Sequence, residues 1–587
     1  MRSPSERRIR ARRATPVIAL AAVTFALGAA FGSGHKGSPR LRVAESFARA
    51  WARKDYLGMY EDIDPSSQRT LSASALANAY REAARTATAT GMTVVGGARS
   101  LQDGTIAVPV HVRTRLWGTL DEQLRMRVAE GEGGARVRWS RALLFPGLRA
   151  GETLSRQTTL PPRATLEARD GSVLAEGEAS GAGTRISPLG TAANAVIGEV
   201  GSIPASRQGE LQAEGIPPNA IVGTSGLERA LDARLRGKPG GELLAGDRVL
   251  ASVTPQASAA VRTTISAPLQ LTAAAALGGQ LGGIVAMNPT SGDILAVAGL
   301  GIDDLQPPGS TFKMVTVTAA LEAKAASEKS AFSYATSTTL DGVKLENANG
   351  ESCGGSLALA FAVSCNSVFA PLGVKVGATR LVATAERYGF NHDPGVGGAI
   401  ESTLPQPAEI QGELDLGSTA IGQGEVQASV LQMVTVAATI ADGGRRPTPK
   451  FQAGPSQRPH VITAATARTV RRFMIDVVRE GTGTSAAIPH VTVAGKTGTA
   501  ELGERRCPKD GLESSGGESG SSEESQGTSG ENCVSGSKDP QNTDAWFAAF
   551  APALKPRIAV GVLLVKDGAG GDTAAPVARE VLEAGLH

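Results

Sequence analysis

The 587-residue sequence is poor in the side chains that hold metals. It has six His and four Cys. The histidines stand at positions 35, 111, 392, 460, 490 and 587, far apart, and none lies in an HExxH pattern. No Cys/His pair has zinc-ligand spacing, so no metal site is expected. An excess of one charge is missing too: Lys+Arg 59 against Asp+Glu 56 leaves only +3. No global basic field exists to draw nucleic acid, and none is expected as a partner. A nucleotide loop is also absent. Gly495-Lys496-Thr497 would need a glycine five residues upstream of Gly495, and that position is His490.

What is present is a globular composition, 41% hydrophobic and 20% charged. The length exceeds one ordinary core and points to about three or four domains. The start of the chain is distinctive. Arg2, Arg7, Arg8, Arg10, Arg12 and Arg13 precede an uncharged run from Ala14 to Phe31. Lys/Arg on one flank of an apolar run stays cytoplasmic, so residues 1–13 read as a cytoplasmic tail and 14–31 as a single-pass signal anchor. The bulk of the chain would then lie outside the cytoplasmic membrane. The run is short for a span of about 20 residues. A cleaved signal peptide is the alternative, with Gly28, Ala29 and Ala30 suited to a peptidase. Outside the membrane the cysteines can pair. Sequence order suggests Cys353 with Cys365 and Cys507 with Cys533 among three possible connectivities, with free buried thiols as an equal alternative.

Residues 32–38 read as a linker. Apolar residues then recur at helical spacing from Val43 to Ile63 (Phe47, Ala50, Trp51, Tyr56, Leu57, Tyr60). A second helix is predicted over Ser74–Ala87, with strands over Thr105–Val112 and Leu124–Val128. These make a small α+β domain, residues 41–150. Residues 158–260 are rich in Gly and Pro. Asp170-Gly171 predicts a hairpin turn. Gly223 to Glu228 opens a predicted helix through Leu235, with Ser225 as its cap. From residue 261 onward the chain is more apolar. Strands are predicted at Ile284–Met287, Ile294–Val297, Val491–Ala500, Ala545–Phe550 and Ile558–Val565, with a helix from Ser310 and a last helix over Ala574–Leu586. The order predicts one antiparallel sheet covered by helices. Residues 502–543 hold a Ser/Gly/Glu-rich tract, Glu513–Glu531, and are expected to be a disordered surface insertion.

Three short motifs fall in this last region: Ser310-Thr311-Phe312-Lys313, Ser364-Cys365-Asn366 and Lys496-Thr497-Gly498-Thr499. Singly each is weak. S-x-x-K recurs at Ser33–Lys36 and Ser535–Lys538, and alone it also describes a capping serine before a surface lysine. Ser310 differs in context. Pro307-Pro308-Gly309 precedes it and an apolar run follows, which places it at a helix start. Serine and lysine at i and i+3 share a helix face, so the amine can take the hydroxyl proton. The free N–H groups of a helix start suit a developing oxyanion. Lys-Thr-Gly on a strand offers a cation and hydroxyls to a carboxylate, and a strand edge can pair with an extended peptide.

Together, in the order S-x-x-K, S-x-N, K-T-G, the motifs resemble those of the penicillin-binding transpeptidase family. Residues 261–587 carry the resemblance, with further matches at Gly283–Leu300, Ala420-Ile421-Gly422-Gln423-Gly424 and Trp546–Pro552. Residues 158–260 resemble the dimerisation or pedestal domain of class B members. Residues 41–150 look like the nuclear-transport-factor-2-like N-terminal domain of low-affinity members. The fold class implied is multidomain α+β. A C-terminal serine transpeptidase (β-lactamase-like) domain, its antiparallel sheet covered by helices, follows a pedestal domain and a nuclear-transport-factor-2-like α+β domain. The implied activity is D,D-transpeptidation of peptidoglycan stem peptides, with β-lactams as inhibitors, no cofactor, and a membrane glycosyltransferase as partner. Ser310 would be the nucleophile and Lys313 its base. Ser364 would relay a proton and Asn366 would bond Lys313 and the substrate. Lys496, Thr497 and Thr499 would hold the terminal carboxylate, beside Gly498, and the backbone N–H groups of Ser310 and Thr499 would form the oxyanion hole. A β-lactamase shares the motifs, but no dedicated deacylation base is recognisable. A β-lactam-binding scaffold would not need the full set. A sensor would need a cytoplasmic output, for which residues 1–13 leave no room, and residues 41–260 do not resemble a glycosyltransferase.

Overall fold

The structure is a computed structural model that describes residues 38–131, 133–177, 183, 185–501 and 542–587. The basic tail, the apolar run 14–31 and the insertion with Cys507 and Cys533 fall outside the described residues. Thr543, the last residue of the expected insertion, opens a core strand. Among the described residues no single helix is long and apolar enough to cross a membrane. The chain divides into two compact units. Of the described residues, one unit holds those through Pro161 with segments 204–220 and 238–256; the other holds those within 162–203, within 221–237 and from 257 onward.

In the first unit, helices Pro39–Ala52, Tyr56–Asp62, Pro65–Thr70 and Ala73–Thr86 precede an antiparallel sheet. Its main strands run in the order Ala89–Val94, Ile106–Thr114, Thr119–Gly131, Gly134–Arg138. Phe47, Tyr80, Val108, Leu124 and Val137 meet in its core. The single helix expected over Val43–Ile63 is in fact two. Lys54 turns left-handed (φ 59°), and Asp55 restarts the helix by accepting from the Gly58 N–H at 3.0 Å. Apolar periodicity ran through the break because both helices face one core.

In the second unit, Leu166–Glu167 and Val173–Ala175 pair antiparallel across the expected turn. Asp170 Oδ1 accepts from the Ser172 N–H, and Gly171 takes φ 91°. The helix expected from Gly223 to Leu235 is instead two short turns, Gly226–Ala230 and Asp232–Leu235. Ser225 makes no cap; its Oγ accepts from the Glu199 N–H at 2.9 Å. Buried charge organises this stretch. Glu228, fully buried, accepts from Arg163 (2.6 Å) and Arg185 (3.0 Å), and Asp232 from Arg163 (3.0 Å) and Arg236 (2.6 Å). Removing one partner of such a network leaves an uncompensated charge, which costs about 3–5 kcal/mol.

The dominant layer is a five-stranded sheet. Its strands are β1 (Gly282–Met287), β2 (Ile294–Gly299), β3 (Ala494–Glu501), β4 (Thr543–Ala551) and β5 (Ile558–Leu564), in the order β2-β1-β5-β4-β3, all antiparallel. Alternation along β4 sends Ala545, Phe547 and Ala549 to one face and Trp546, Ala548 and Phe550 to the other. The first face packs on helices Ala267–Leu277 and Ala574–Leu586. The second packs on α4 (Val430–Ala441) and on helix Ala464–Glu480, against which α1 (Lys313–Glu322) and α2 (Leu357–Ala362) lie, with α3 (Asn366–Val376) packed on α1. Both faces are covered, so the strands read as nearly unbroken apolar runs. β3 begins at Ala494, three residues later than expected, and is an edge strand.

Candidate active site

The three motifs lie on three separate elements. Ser310 sits in a 3-10 turn, Gly309–Phe312, that runs straight into α1. Two close backbone approaches set this turn. Gly309 (φ 49°) donates its N–H to Gly422 O at 2.9 Å. A Cβ on Gly309 would lie 2.7 Å from Thr499 O, and one on Gly422 would lie 2.0 Å from Gly309 O. Only glycine fits either place, and both bring the serine turn against β3 and against the Ala420–Gly424 loop. Ser310 is part-exposed, and no hydrogen bond ties its hydroxyl to another described residue.

Lys313, one helical turn on, is fully buried. Its Nζ donates to Ser364 O (2.7 Å), Asn366 Oδ1 (2.7 Å) and Ser364 Oγ (3.2 Å). Lys496 reaches the same hydroxyl from β3: its Nζ donates to Ser364 Oγ at 2.9 Å and to Thr497 O at 3.0 Å. Ser364 is therefore held between two amines. Its backbone is left-handed (φ 62°), a conformation rare for a side chain-bearing residue. The turn is anchored by the Cys353–Cys365 disulfide, the pairing expected from sequence order. Asn366 opens α3, and its Nδ2 donates to Glu346 O at 2.9 Å.

Burial disfavours both ammonium charges. It holds Lys313 well below the ordinary lysine value, with the nearby Lys496 charge adding to the effect. It brings Lys496 down to about 7. Each amine also lies over an aromatic face, Lys313 over Phe369 at 5.6 Å and Lys496 over Phe361 at 5.5 Å.

On β3, the Thr497 hydroxyl meets that of Thr482 at 2.5 Å, and Thr499 Oγ1 accepts from the Gly570 N–H at 3.4 Å. A Cβ on Gly498 would press on Pro308 O at 2.8 Å, so the strand and the serine turn lie in contact there. The fold thus gathers Lys313, Ser364, Asn366 and Lys496 into one hydrogen-bonded cluster, with Ser310 a turn before Lys313 and Thr497 to Thr499 on the adjoining strand. Sequence reading missed Thr482, Gly570, Phe361 and Phe369. The first two come from loops with no motif, and the phenylalanines look like ordinary core. Among the described residues no group of His, Cys, Asp and Glu could hold a metal ion.

The motif-bearing region corresponds to a known family. The model described as penicillin binding protein transpeptidase domain matches residues 282–583. The chain belongs to this family. The Penicillin-binding Protein dimerisation domain matches residues 178–254, and the NTF2-like N-terminal transpeptidase domain matches 41–152. The resemblance drawn from the motifs is borne out, and so is the multidomain α+β fold class. One relative, Peptidoglycan D,D-transpeptidase PbpA of Mycolicibacterium smegmatis, is 30% identical over 432 residues, 62% of this chain and 80% of the relative. PbpA of Mycobacterium tuberculosis H37Rv is 33% identical over 318 residues, 49% of this chain and 56% of that one. Among solved structures, the D,D-transpeptidase domain of a peptidoglycan glycosyltransferase from Eggerthella lenta is 29% identical, with TM-score 0.54, covering 72% of this chain and 98% of that one. The penicillin G acyl-enzyme complex of M. tuberculosis penicillin-binding protein A is 26% identical, with TM-score 0.53, covering 73% and 100%.

Proposed function

We propose that this chain is a serine D,D-transpeptidase that cross-links peptidoglycan stem peptides through an acyl-enzyme on Ser310. One observation carries the reading: two dry lysines meet on the Ser364 hydroxyl, within the span that belongs to the transpeptidase family. In the reaction, Ser310 Oγ attacks the carbonyl between two D-alanines as its proton passes to the neutral Lys313 amine. For this Lys313 gives up one of its present contacts and turns toward Ser310, which the depressed basicity of its amine permits. The oxyanion faces the N–H groups of Ser310 and Thr499. Ser364 passes a proton to the departing amine, and D-alanine leaves. An amine from a neighbouring strand then attacks the ester and frees Ser310. Lys496, Thr497 and Thr499 hold the substrate carboxylate, Gly498 lets the peptide lie close to β3, and Asn366 orients Lys313 and the substrate amide. β-Lactams enter the same path and stall as acyl-enzymes. Residues 14–31 anchor the chain in the membrane by one pass, with the enzyme outside, and a membrane glycosyltransferase supplies the strands. The names of the PbpA relatives and the acyl-enzyme structure of a neighbour support the chemistry.

Intact-mass analysis of the full chain in detergent with penicillin, followed over hours, tests this. The expected result is one lasting adduct on the wild type and none on Ser310→Ala. An adduct that forms and vanishes as penicillin is consumed would mean a β-lactamase instead.

A further inference from the structure

Away from the serine, the second unit contains a cavity of about 130 Å³ between the end of helix Ala378–Tyr388 and the start of α4. Its wall mixes Ile400, Leu431 and Pro447 with Gln432 and Arg446. The charged groups nearby are already engaged. Arg445 donates to His460, Arg458 pairs with Asp442, and Asp393 accepts from the Gly395 N–H. Arg446 is different. Its guanidinium is half-buried and, among the described residues, has neither a carboxylate nor a hydrogen-bond acceptor. Burial lowers its pKa, and no negative neighbour offsets this.

A second polar atom there is unused. Gln432 spends its amide N–H on Tyr388 O at 3.0 Å, while its Oε1 receives no donor. Arg446 Nη1 and Gln432 Oε1 converge over Gly389, lying 3.0 and 3.1 Å from the point its Cβ would occupy. A planar fork of donors and an acceptor without a donor thus share one small chamber, which is apolar on one side and also lined by Asp393 and His392. The fork matches a carboxylate, the acceptor matches an N–H donor, and the apolar wall matches a short alkyl group. The volume suits about six non-hydrogen atoms, since a cavity of about 150 Å³ holds one benzene.

We propose that this cavity binds a small α-amino acid, with its carboxylate on Arg446 and its ammonium on Gln432 Oε1. Calorimetric titration of the full chain in detergent with D-alanine tests it, with acetate and inorganic phosphate titrated separately. D-Alanine is the first probe because the proposed reaction releases it. The site does not depend on that reaction, which penicillin acylation of Ser310 reports separately. D-Alanine is expected to bind saturably and more tightly than acetate, and Arg446→Gln is expected to weaken it about tenfold or more, the loss of one charge-assisted contact. Ile400→Phe, which fills the chamber from an exposed position, should do the same while penicillin acylation stays unchanged. If Arg446→Gln melts early, the Ile400 variant decides. No saturable D-alanine binding, tighter binding of phosphate, or a loss caused by Lys496→Ala but not by either cavity variant would overturn the proposal.

Discussion

Lys313 and Lys496 donate to one hydroxyl, Ser364 Oγ, at 3.2 and 2.9 Å, and neither touches solvent. Two full charges cannot share such a place cheaply, so at least one amine is neutral near neutral pH. This turns an ordinary lysine into a base. Lys313→Ala should therefore slow penicillin acylation by about 10²–10⁴, the usual contribution of a positioned base. Rapid-quench acylation rates check this, and a near-normal rate would remove Lys313 from the role. The kinetic pKa of the base should lie well below 10.5, the ordinary lysine value; a rate that climbs only near that value would contradict it. Stability follows the same groups. Between about 7 and 10.5 the unfolded chain holds a proton that buried Lys496 has shed, so the unfolded state binds more protons there. Stability contributed by this position rises with pH across that window and is lost as pH falls through about 7. Urea midpoints at pH 7 and 9.5, compared between wild type and Lys496→Met, should show a larger rise in the wild type than in the variant, where buried Lys313 alone still contributes.

At the scale of elements, the serine turn is positioned by backbone contact. Gly309 fits between Thr499 O and the Gly422 loop, and no side chain could be inserted without displacing one of them. Gly422 itself sits at φ 76°, where a Cβ is also strained. Gly422→Ala should cost about 1–3 kcal/mol in stability and also lower the acylation rate, because the residue that must move is the neighbour of Ser310. Thermal melting and acylation rates measured side by side check this; lost stability with a normal rate would show that the turn does not position the serine. The matching motif Ala420–Gly424 was recognisable in the sequence, but its reason was not. The loop has no reactive group, and its role appears only where it touches Gly309. Ser225 shows the opposite error. A serine before a helix looked like a cap, yet the neighbouring Glu199 N–H claims its hydroxyl, and buried arginine–carboxylate pairs organise the turns that follow.

Across the whole molecule, all the residues proposed for catalysis lie within residues 282–583, far in sequence from the arginine-rich start. Removing residues 1–31 should therefore release the chain into the soluble fraction and leave penicillin acylation unchanged. Fractionation and intact-mass analysis of the truncated chain check both halves. A chain that stays with membranes would assign the anchor elsewhere.

The sequence alone determined the chemistry available. Serine and lysine one helical turn apart, Ser364 and Asn366 two apart, and Lys-Thr-Gly-Thr in a strand are local patterns, and local geometry fixes what such neighbours can do. Strand alternation and apolar runs likewise placed the sheet, because a pleat exposes its faces at a fixed period. Only the tertiary structure decided that Lys496 meets Ser364 across 132 positions, that Phe361 and Phe369 roof the amines, and that Thr482 and Gly570 hold the threonines of β3. Dryness around an amine is made by whichever distant segments pack over it. That burial, and not the lysine itself, sets the proton affinity on which the proposed reaction depends.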